Sequence, residues 1–389
     1  VKVLGLMSGT SLDGIDAALV DIRPRGNGYA LACERFITVP FTDELRARLL
    51  AALPPHEPTI AQAAELDVAF GVELANVAVR ACEGAHVDAI GSHGLTLYHD
   101  GAAGITLQIG APYRLRDAMG ATVVYDFRRA DCARGGHGAP LVPHFDALAF
   151  GSDDADVVAL NLGGIGNVSV IPRGTRACSA AWDTGPANVL IDAFVAQRTQ
   201  ARERFDPGGA YARAGTVDGD ALAALRAGAG DYFETPPPKS TGRERFGPQF
   251  LARYAAMFER LSLHDGCATL AAFSVAAIVD SLARFGPSRA RLVASGGGIH
   301  NAALLAGLRD ALEPRGWTVC LSSDLGVDPD AKEAMAFALF AYETLRGRPA
   351  SVAAATGSAG PVVLGSIVPE RLDALAAKIQ AEVAANGLV

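Results

Sequence analysis

The 389-residue chain predicts an α/β protein of two domains, each opening with a strand, a glycine-rich turn and a second strand. Three observations predict it. Strand-like and helix-like runs alternate throughout, the strand–glycine turn–strand pattern of Val1–Ile22 recurs at Asp156–Ile171, and the length suffices for two hydrophobic cores. The recurrence reads as two domains whose tight turns face a shared cleft.

The first turn lies in Gly5-Leu-Met-Ser-Gly-Thr-Ser-Leu-Asp-Gly-Ile-Asp16, between the apolar run Val1–Leu6 and the alternating Gly14–Ile22. Ala30–Val39 follows as a third strand, with Arg25-Gly26-Asn27-Gly28 as hairpin chemistry before it. Helical patterns cover Thr42–Leu53 and Thr59–Cys82, the second with Thr59 as an N-cap. Val87–Ser92 reads as a buried strand, Leu95–Tyr98 with Ile105–Ile109 as a hairpin, and Ala121–Phe127 as a strand. Asp126–Pro140, dense in charge and glycine, reads as a functional loop and a domain boundary. Beyond it come the strand Asp156–Leu162, the turn Gly163–Asn167, the strands Val168–Ile171 and Ala177–Trp182, and the helix Ala187–Arg198. The remainder is mainly helical, interrupted by the loop Thr235–Glu244, the strands Arg291–Ala294 and Thr318–Ser322, and the helices Asn301–Leu312 and Ala331–Arg346.

Hydrophobic residues make up 50% and charged residues 20%, the balance of an ordinary globular chain. The net charge of -8 argues against duplex nucleic acid as the main partner but leaves small anionic ligands open, since backbone amides and a metal ion hold phosphate. Six scattered cysteines show neither CxxC nor zinc spacing, so reduced thiols in a cytoplasmic protein are expected. No signal peptide is expected, and Gly266–Val279, broken by Asp280, reads as too short to span a bilayer. The numbering begins at Val1, which leaves an initiator methionine or short leader open.

Several motifs carry chemistry, each beside a plainer use. In Gly9–Asp16, amides and the hydroxyls of Thr10 and Ser11 can cradle an anion while Asp13 and Asp16 hold magnesium through water; the alternative is a polar β-turn. Gly163–Asn167 precedes a strand rather than a helix, against a dinucleotide fingerprint, whereas Ser295–Gly298 with Asp324 keeps that fingerprint conceivable without its third glycine. Asp183, after an apolar strand, is either a proton acceptor projecting into a cleft or the cap of the next helix. Glu333 suits a helix N-terminus. Lys239 and Arg243 can reach phosphate or simply sit in an exposed loop.

The chain resembles the anhydro-N-acetylmuramic acid kinase family of the sugar kinase, Hsp70 and actin superfamily. The resemblance rests on Met7–Asp16, Gly91-Ser-His-Gly94, Asn161–Asn167, Trp182-Asp-Thr-Gly-Pro186, Pro238–Glu244, Ser295–Gly298 with Asn301, and Lys332-Glu-Ala334, in order over nearly the whole chain. It implies a two-domain actin-like ATPase fold with duplicated mixed sheets flanked by helices and an interdomain cleft. Domain I would span 1–128 with 356–389, and domain II 129–355.

The resemblance also implies ATP and Mg²⁺, and an activity that opens the 1,6-anhydro ring with water and phosphorylates O6. Gly9, Thr10, Ser11, Leu12, Asp13, Gly14, Ile15 and Asp16 would cradle the β- and γ-phosphates. Gly163, Gly164 and Asn167 would approach from the other domain, and Gly296, Gly297 and Gly298 with Asn301 would seat adenosine. Asp183 matches the base, Glu333 a sugar contact, the loop around Arg129 and His137 the sugar pocket, and Asp13 a water-mediated magnesium contact. Domain closure would exclude bulk water, and a homodimer is implied. The alternatives are a kinase of the same fold acting on another sugar or acyl acceptor, and an ATP-switched chaperone or filament former. A chaperone would need a peptide-binding domain, for which only Ala350–Val389 remains.

Overall fold

The computed structural model describes residues 1–9 and 12–386, so Thr10 and Ser11 lie outside the described residues. In chain order the strands are β1 (Lys2–Met7), β2 (Gly14–Arg25), β3 (Gly28–Pro40), β4 (Ala89–Ser92), β5 (Leu95–Asp100), β6 (Ile105–Ile109) and β7 (Thr122–Tyr125). Then follow β8 (Val157–Leu162), β9 (Ile165–Ile171), β10 (Ala180–Pro186), β11 (Arg291–Ser295), β12 (Thr318–Leu321) and β13 (Ser366–Val368). Two compact units divide the chain: Val1–Ala149 with the segment from Gly326 onward, and Phe150–Leu325.

The first unit is built on a six-stranded sheet of order β13-β7-β4-β1-β2-β3. β1, β2 and β3 form an antiparallel meander, β1, β4 and β7 run parallel, and β13 closes antiparallel on β7. Alternation along β1 decides what covers each face. Leu4 and Leu6 join the core cluster containing Phe70 and Leu74 of the helix Ile60–Cys82. Gly5 faces the other way, onto the helix Lys332–Leu345, and Gly91 of β4 meets that helix too. A Cβ on Gly5 would overlap the Ala334 carbonyl and one on Gly91 the Phe337 carbonyl, so only glycine lets the helix ride this close to the sheet.

That contact moves the expected boundaries. Residues 129–149 and 326–355 belong to the first unit, not the second, because Lys332–Leu345 lies on β1, β2 and β4. A buried ion pair ties its first turn to residue 146, with Lys332 Nζ 2.9 Å from Asp146 Oδ1.

The second unit repeats the plan in a five-stranded sheet of order β10-β9-β8-β11-β12. β8, β9 and β10 are the antiparallel meander, and β8, β11 and β12 run parallel. The recurrence in the sequence is thus a duplicated topology. One face packs Leu160, Val168, Trp182 and Leu292 against Ile278 and Leu282 of the helix Leu263–Phe285 and Leu308 of Ala302–Leu312. Leu263–Phe285 outruns the apolar segment read from the sequence and is long and apolar enough to cross a membrane. The structure accounts for its composition, since 72% of its most apolar window is buried inside the protein.

Local chemistry sets several element ends. Thr59 forms a full capping box with Gln62, and Thr42 caps the helix Asp43–Leu50. Gly26 and Asn27 are the hairpin loop between β2 and β3. The segment Asp126–Pro140 is not all loop: Arg129–Cys132 is a short helix.

Candidate active site

In the second unit the register builds a polar row across the sheet. Ser295 pairs with Asn161, Asn161 with Asn167, and Asn167 with Asp183, and directly paired residues share a face. The preceding row, Leu160, Val168 and Trp182, faces the core. Asp183 is not at a strand end, nor does it cap a helix. β10 runs on through Thr184 to Pro186 after a bulge between Asp183 and Gly185, and the helix begins at Val189 after Asn188. β10 is an edge strand, where Pro186 needs no ladder donor.

Asp183 is strapped from three directions. Its N–H donates to Lys239 O (3.1 Å), its carbonyl accepts from Tyr232 OH (2.7 Å), and its Oδ2 accepts from Thr241 N–H (2.8 Å). Burial pushes its carboxyl up to about 6, the Thr241 amide opposes this, and Glu244 adds to it. A carboxylate that titrates near neutrality with one oxygen anchored is suited to general-base work.

The glycine turns meet beside this row. The Gly163 and Gly164 carbonyls accept the N–H groups of Asn188 (3.2 Å), Ala187 (2.9 Å) and Val189 (3.0 Å), fastening the turn to the start of the next helix. Gly296, at φ +80, lies where a Cβ would crowd Asn161 Oδ1 and Leu162 O, and Gly298 packs on Leu162 and Asn188. Gly297 is exposed, with open space where a Cβ would stand. Asn301 is buried and caps the helix Ala302–Leu312 through Oδ1, accepting from Ala303 N–H (3.1 Å) and Leu304 N–H (3.4 Å). Asp324 is occupied locally, accepting from Leu321 N–H (2.9 Å).

In the first unit, the turn after β1 closes with Leu12 N–H on Gly9 O (3.1 Å) and Ser8 Oγ on Gly14 O (2.9 Å). Leu12 and Ile15 are buried in the core, so any ligand contact from them is through the backbone. Gly14 packs against the Val39 backbone, and Asp13 is exposed. Half-buried Asp16 accepts from Thr38 Oγ1 (2.6 Å); burial raises its carboxyl, Thr38 opposes this, and Asp330 and Asp13 add to it. Dense protein around Glu333 raises its carboxyl, opposed by Lys332, supported by Asp16 and opposed by Arg128; solvent tempers the effect because the side chain is exposed.

A cavity of about 360 Å³ in this unit is lined by Ser92, His93, Gln108, Asp126 and Arg129, with apolar walls from Ala63, Ala64, Leu107, Ile109 and Tyr125. Gln108 donates to Thr96 (3.2 Å) and Thr106 (2.8 Å), while its Oε1 is buried with no hydrogen-bond partner among the described residues. Arg129 reaches Asp126 at 3.3 Å. His137 is exposed and is not among the residues lining this cavity. Its N–H donates to Thr356 O (2.8 Å). Beneath it Asp131, wholly buried, accepts from Gly138 N–H (2.9 Å) and Thr356 Oγ1 (2.8 Å).

His93 is neutral, and its bonds fix the tautomer. Nδ1 faces the Gly94 carbonyl (2.9 Å) and must donate; Nε2 faces the Arg128 guanidinium (2.9 and 3.1 Å) and must accept. Burial first, then Arg128, pushes its pKa down to about 3. The unfolded chain therefore binds a proton near pH 6.5 that the fold refuses. Stability from this group is full above about pH 6.5 and drains as pH falls towards 3. The wild-type melting temperature should drop between pH 7 and pH 5 more steeply than that of His93→Asn; equal slopes would refute the assignment.

Asn161, Thr241, Tyr232, Gln108 and His93 were not singled out individually from sequence. For Asn161 a signal was available: one polar residue between Leu160 and Leu162 in an otherwise apolar strand.

A family model for anhydro-N-acetylmuramic acid kinase matches residues 1–370. The chain belongs to the anhydro-N-acetylmuramic acid kinase family. Relatives bearing that family name include proteins from Rhodococcus erythropolis (44% identical over 382 residues, 95% of this chain and 94% of the relative) and Salinibacter ruber (41% over 384 residues, 94% and 95%). Another is from Xanthomonas oryzae pv. oryzae (43% over 376 residues, 94% and 97%). As a member of this family the chain is a kinase. Among solved structures it is similar to a ROK family glucokinase from Streptomyces griseus in complex with glucose and AMPPNP (16% identity, 87% of this chain and 99% of that chain, TM-score 0.38). It is also similar to a ROK hexokinase from Thermus thermophilus (17% identity, 88% and 99%, TM-score 0.35).

Proposed function

We propose that this kinase uses ATP and one water molecule to open the 1,6-anhydro ring of anhydro-N-acetylmuramic acid and phosphorylate O6. The products are N-acetylmuramic acid 6-phosphate and ADP, in cell-wall recycling. Family membership supports the substrate, and the observation that carries the chemistry is Asp183, half-buried, anchored at Oδ2 and titrating near 6. Asp183 takes a proton from water as the water oxygen bonds to C1. The C1–O6 bond breaks with its electron pair left on O6, O6 attacks the γ-phosphorus, and the β–γ bridge breaks to release ADP; the proton on Asp183 passes to solvent. The protein's part in such transfers is positioning and charge stabilisation.

The glycine turns at 163–164 and 296–298 suit close backbone approach to the nucleotide, and Gly9 to Asp16 its phosphates. Arg129 and Glu333 serve the sugar, with Ser92 and Gln108 of the cavity as further polar contacts. Among the described residues no group of three or more His, Cys, Asp or Glu stands ready to hold a metal directly. Exposed Asp13 and nearby Asp16 fit a magnesium ion held through water and phosphate, which when bound would offset charge on the transferring group. We also infer a cytoplasmic homodimer, from the family resemblance.

The test is product analysis in ¹⁸O water with ATP and the anhydro sugar, sampled before the anomeric oxygen exchanges. Heavy oxygen at C1 with phosphate on O6 is expected. Phosphorylation with unlabelled C1, or an untouched anhydro sugar, would overturn the reading.

A further inference from the structure

We propose that Lys239 is a positioning residue for the base, its ammonium locked between Tyr232 and Phe285 so that the loop Thr235–Glu244 stays closed on Asp183. This rests on the reading of Asp183 as the base. Most of that loop is exposed, including Thr235, Pro236, Pro238, Ser240, Arg243 and Glu244, whereas Lys239 turns inward.

Its Nζ donates to Tyr232 O (3.0 Å) and lies 4.6 Å from the Tyr232 ring centre and 5.0 Å from that of Phe285. No carboxylate pairs with it among the described residues; one carbonyl and two aromatic faces hold it, an arrangement in which a cation is attracted by the ring quadrupoles. A lysine reaching for phosphate would not be folded back this way.

The held residue is continuous with the base. The Lys239 carbonyl accepts the Asp183 N–H, and two residues on Thr241 donates to Asp183 Oδ2. Tyr232, one wall of the cage, donates its hydroxyl to the Asp183 carbonyl. Two of the three tethers on Asp183 therefore run through cage residues, Lys239 and Tyr232, and the third, from Thr241, lies two residues along the same loop. Burial, and after it Arg284, pulls the ammonium down to about 8; the other charged groups nearby are Arg245, 5.1 Å from the Tyr232 ring centre, and the carboxylates of Asp183 and Glu244 near Tyr232.

The decisive comparison is Lys239→Met, which keeps length and apolar bulk, with Lys239→Arg, which keeps a cation for the rings. For Lys239→Met, kcat should fall at least tenfold with KM for ATP and sugar within twofold. The acid limb of its pH–rate profile should move by half a pH unit or more, and Lys239→Arg should recover most of both. A structural role alone would lower the melting temperature and leave the limb in place. If Lys239→Met fails to fold, Phe285→Leu removes one wall and should show the same changes at smaller size, about threefold in kcat. A folded Lys239→Met or Phe285→Leu with wild-type kcat and acid limb overturns the proposal. If Asp183→Asn is active, the base reading fails first; if it is inactive while these variants are normal, only the role of Lys239 fails.

Discussion

Asp183→Asn is expected to lower turnover at least a thousandfold while nucleotide affinity, measured by calorimetry with ADP, stays within twofold. General-base contributions lie at roughly 10²–10⁴-fold, and the upper part suits the water-activating role proposed for Asp183. Asparagine can still accept the Thr241 amide bond, so geometry is retained and basicity alone is lost. The same variant carries a stability signature. Burial raises the Asp183 carboxyl from the ordinary 3.8 to about 6, so the fold favours its neutral form. That advantage is full below about pH 3.8 and is lost as pH rises through about 6. Asparagine is neutral throughout. The variant and wild type should melt together at pH 4, and the variant should be the more stable at pH 8, by up to about 3 kcal/mol. An active variant, or one less stable at pH 8, would contradict the assignment.

Gly5→Ala and Gly91→Ala should each destabilise the first unit by at least about 3 kcal/mol in urea unfolding, near the top of the range for overpacking. In each case the new methyl meets helix backbone, Ala334 O or Phe337 O, which has no rotamer by which to give way. Relief requires moving Lys332–Leu345, and with it the buried Lys332–Asp146 pair and Glu333. Gly219→Ala is the control: its methyl meets nothing within 4 Å, and its change should stay within about 0.5 kcal/mol. A wild-type urea midpoint for either buried variant would show that the helix slides freely on the sheet.

Where local chemistry decides a feature, it could be read from the residues. The Thr59–Gln62 capping box, the Gly26–Asn27 hairpin and the repeated strand–turn–strand pattern are of this kind. Partnership at long range could not. The helix Lys332–Leu345 is buried almost all round, so its pattern announces a core helix without saying which sheet it covers. Asp183 followed by Thr-Gly-Pro suits a helix start as well as a strand; the bulge and the free edge of β10 settle it for the strand. Lys239 sits in a polar, proline-rich stretch that reads as exposed, and its aromatic walls come from Tyr232 and Phe285. The charged, glycine-rich run around Arg129 and His137 reads as loop, and nothing local announces the short helix Arg129–Cys132 that places Arg129 on the cavity.

Asp131 closes a ring of covalent and hydrogen-bonded links between stretches 225 residues apart in sequence. With one oxygen on the Gly138 amide and the other on the Thr356 hydroxyl, this acid works like a keystone. Neither flank can lift while its neighbour stays seated, so the segment bearing His137 inherits its rigidity from a part of the chain made long after it on the ribosome.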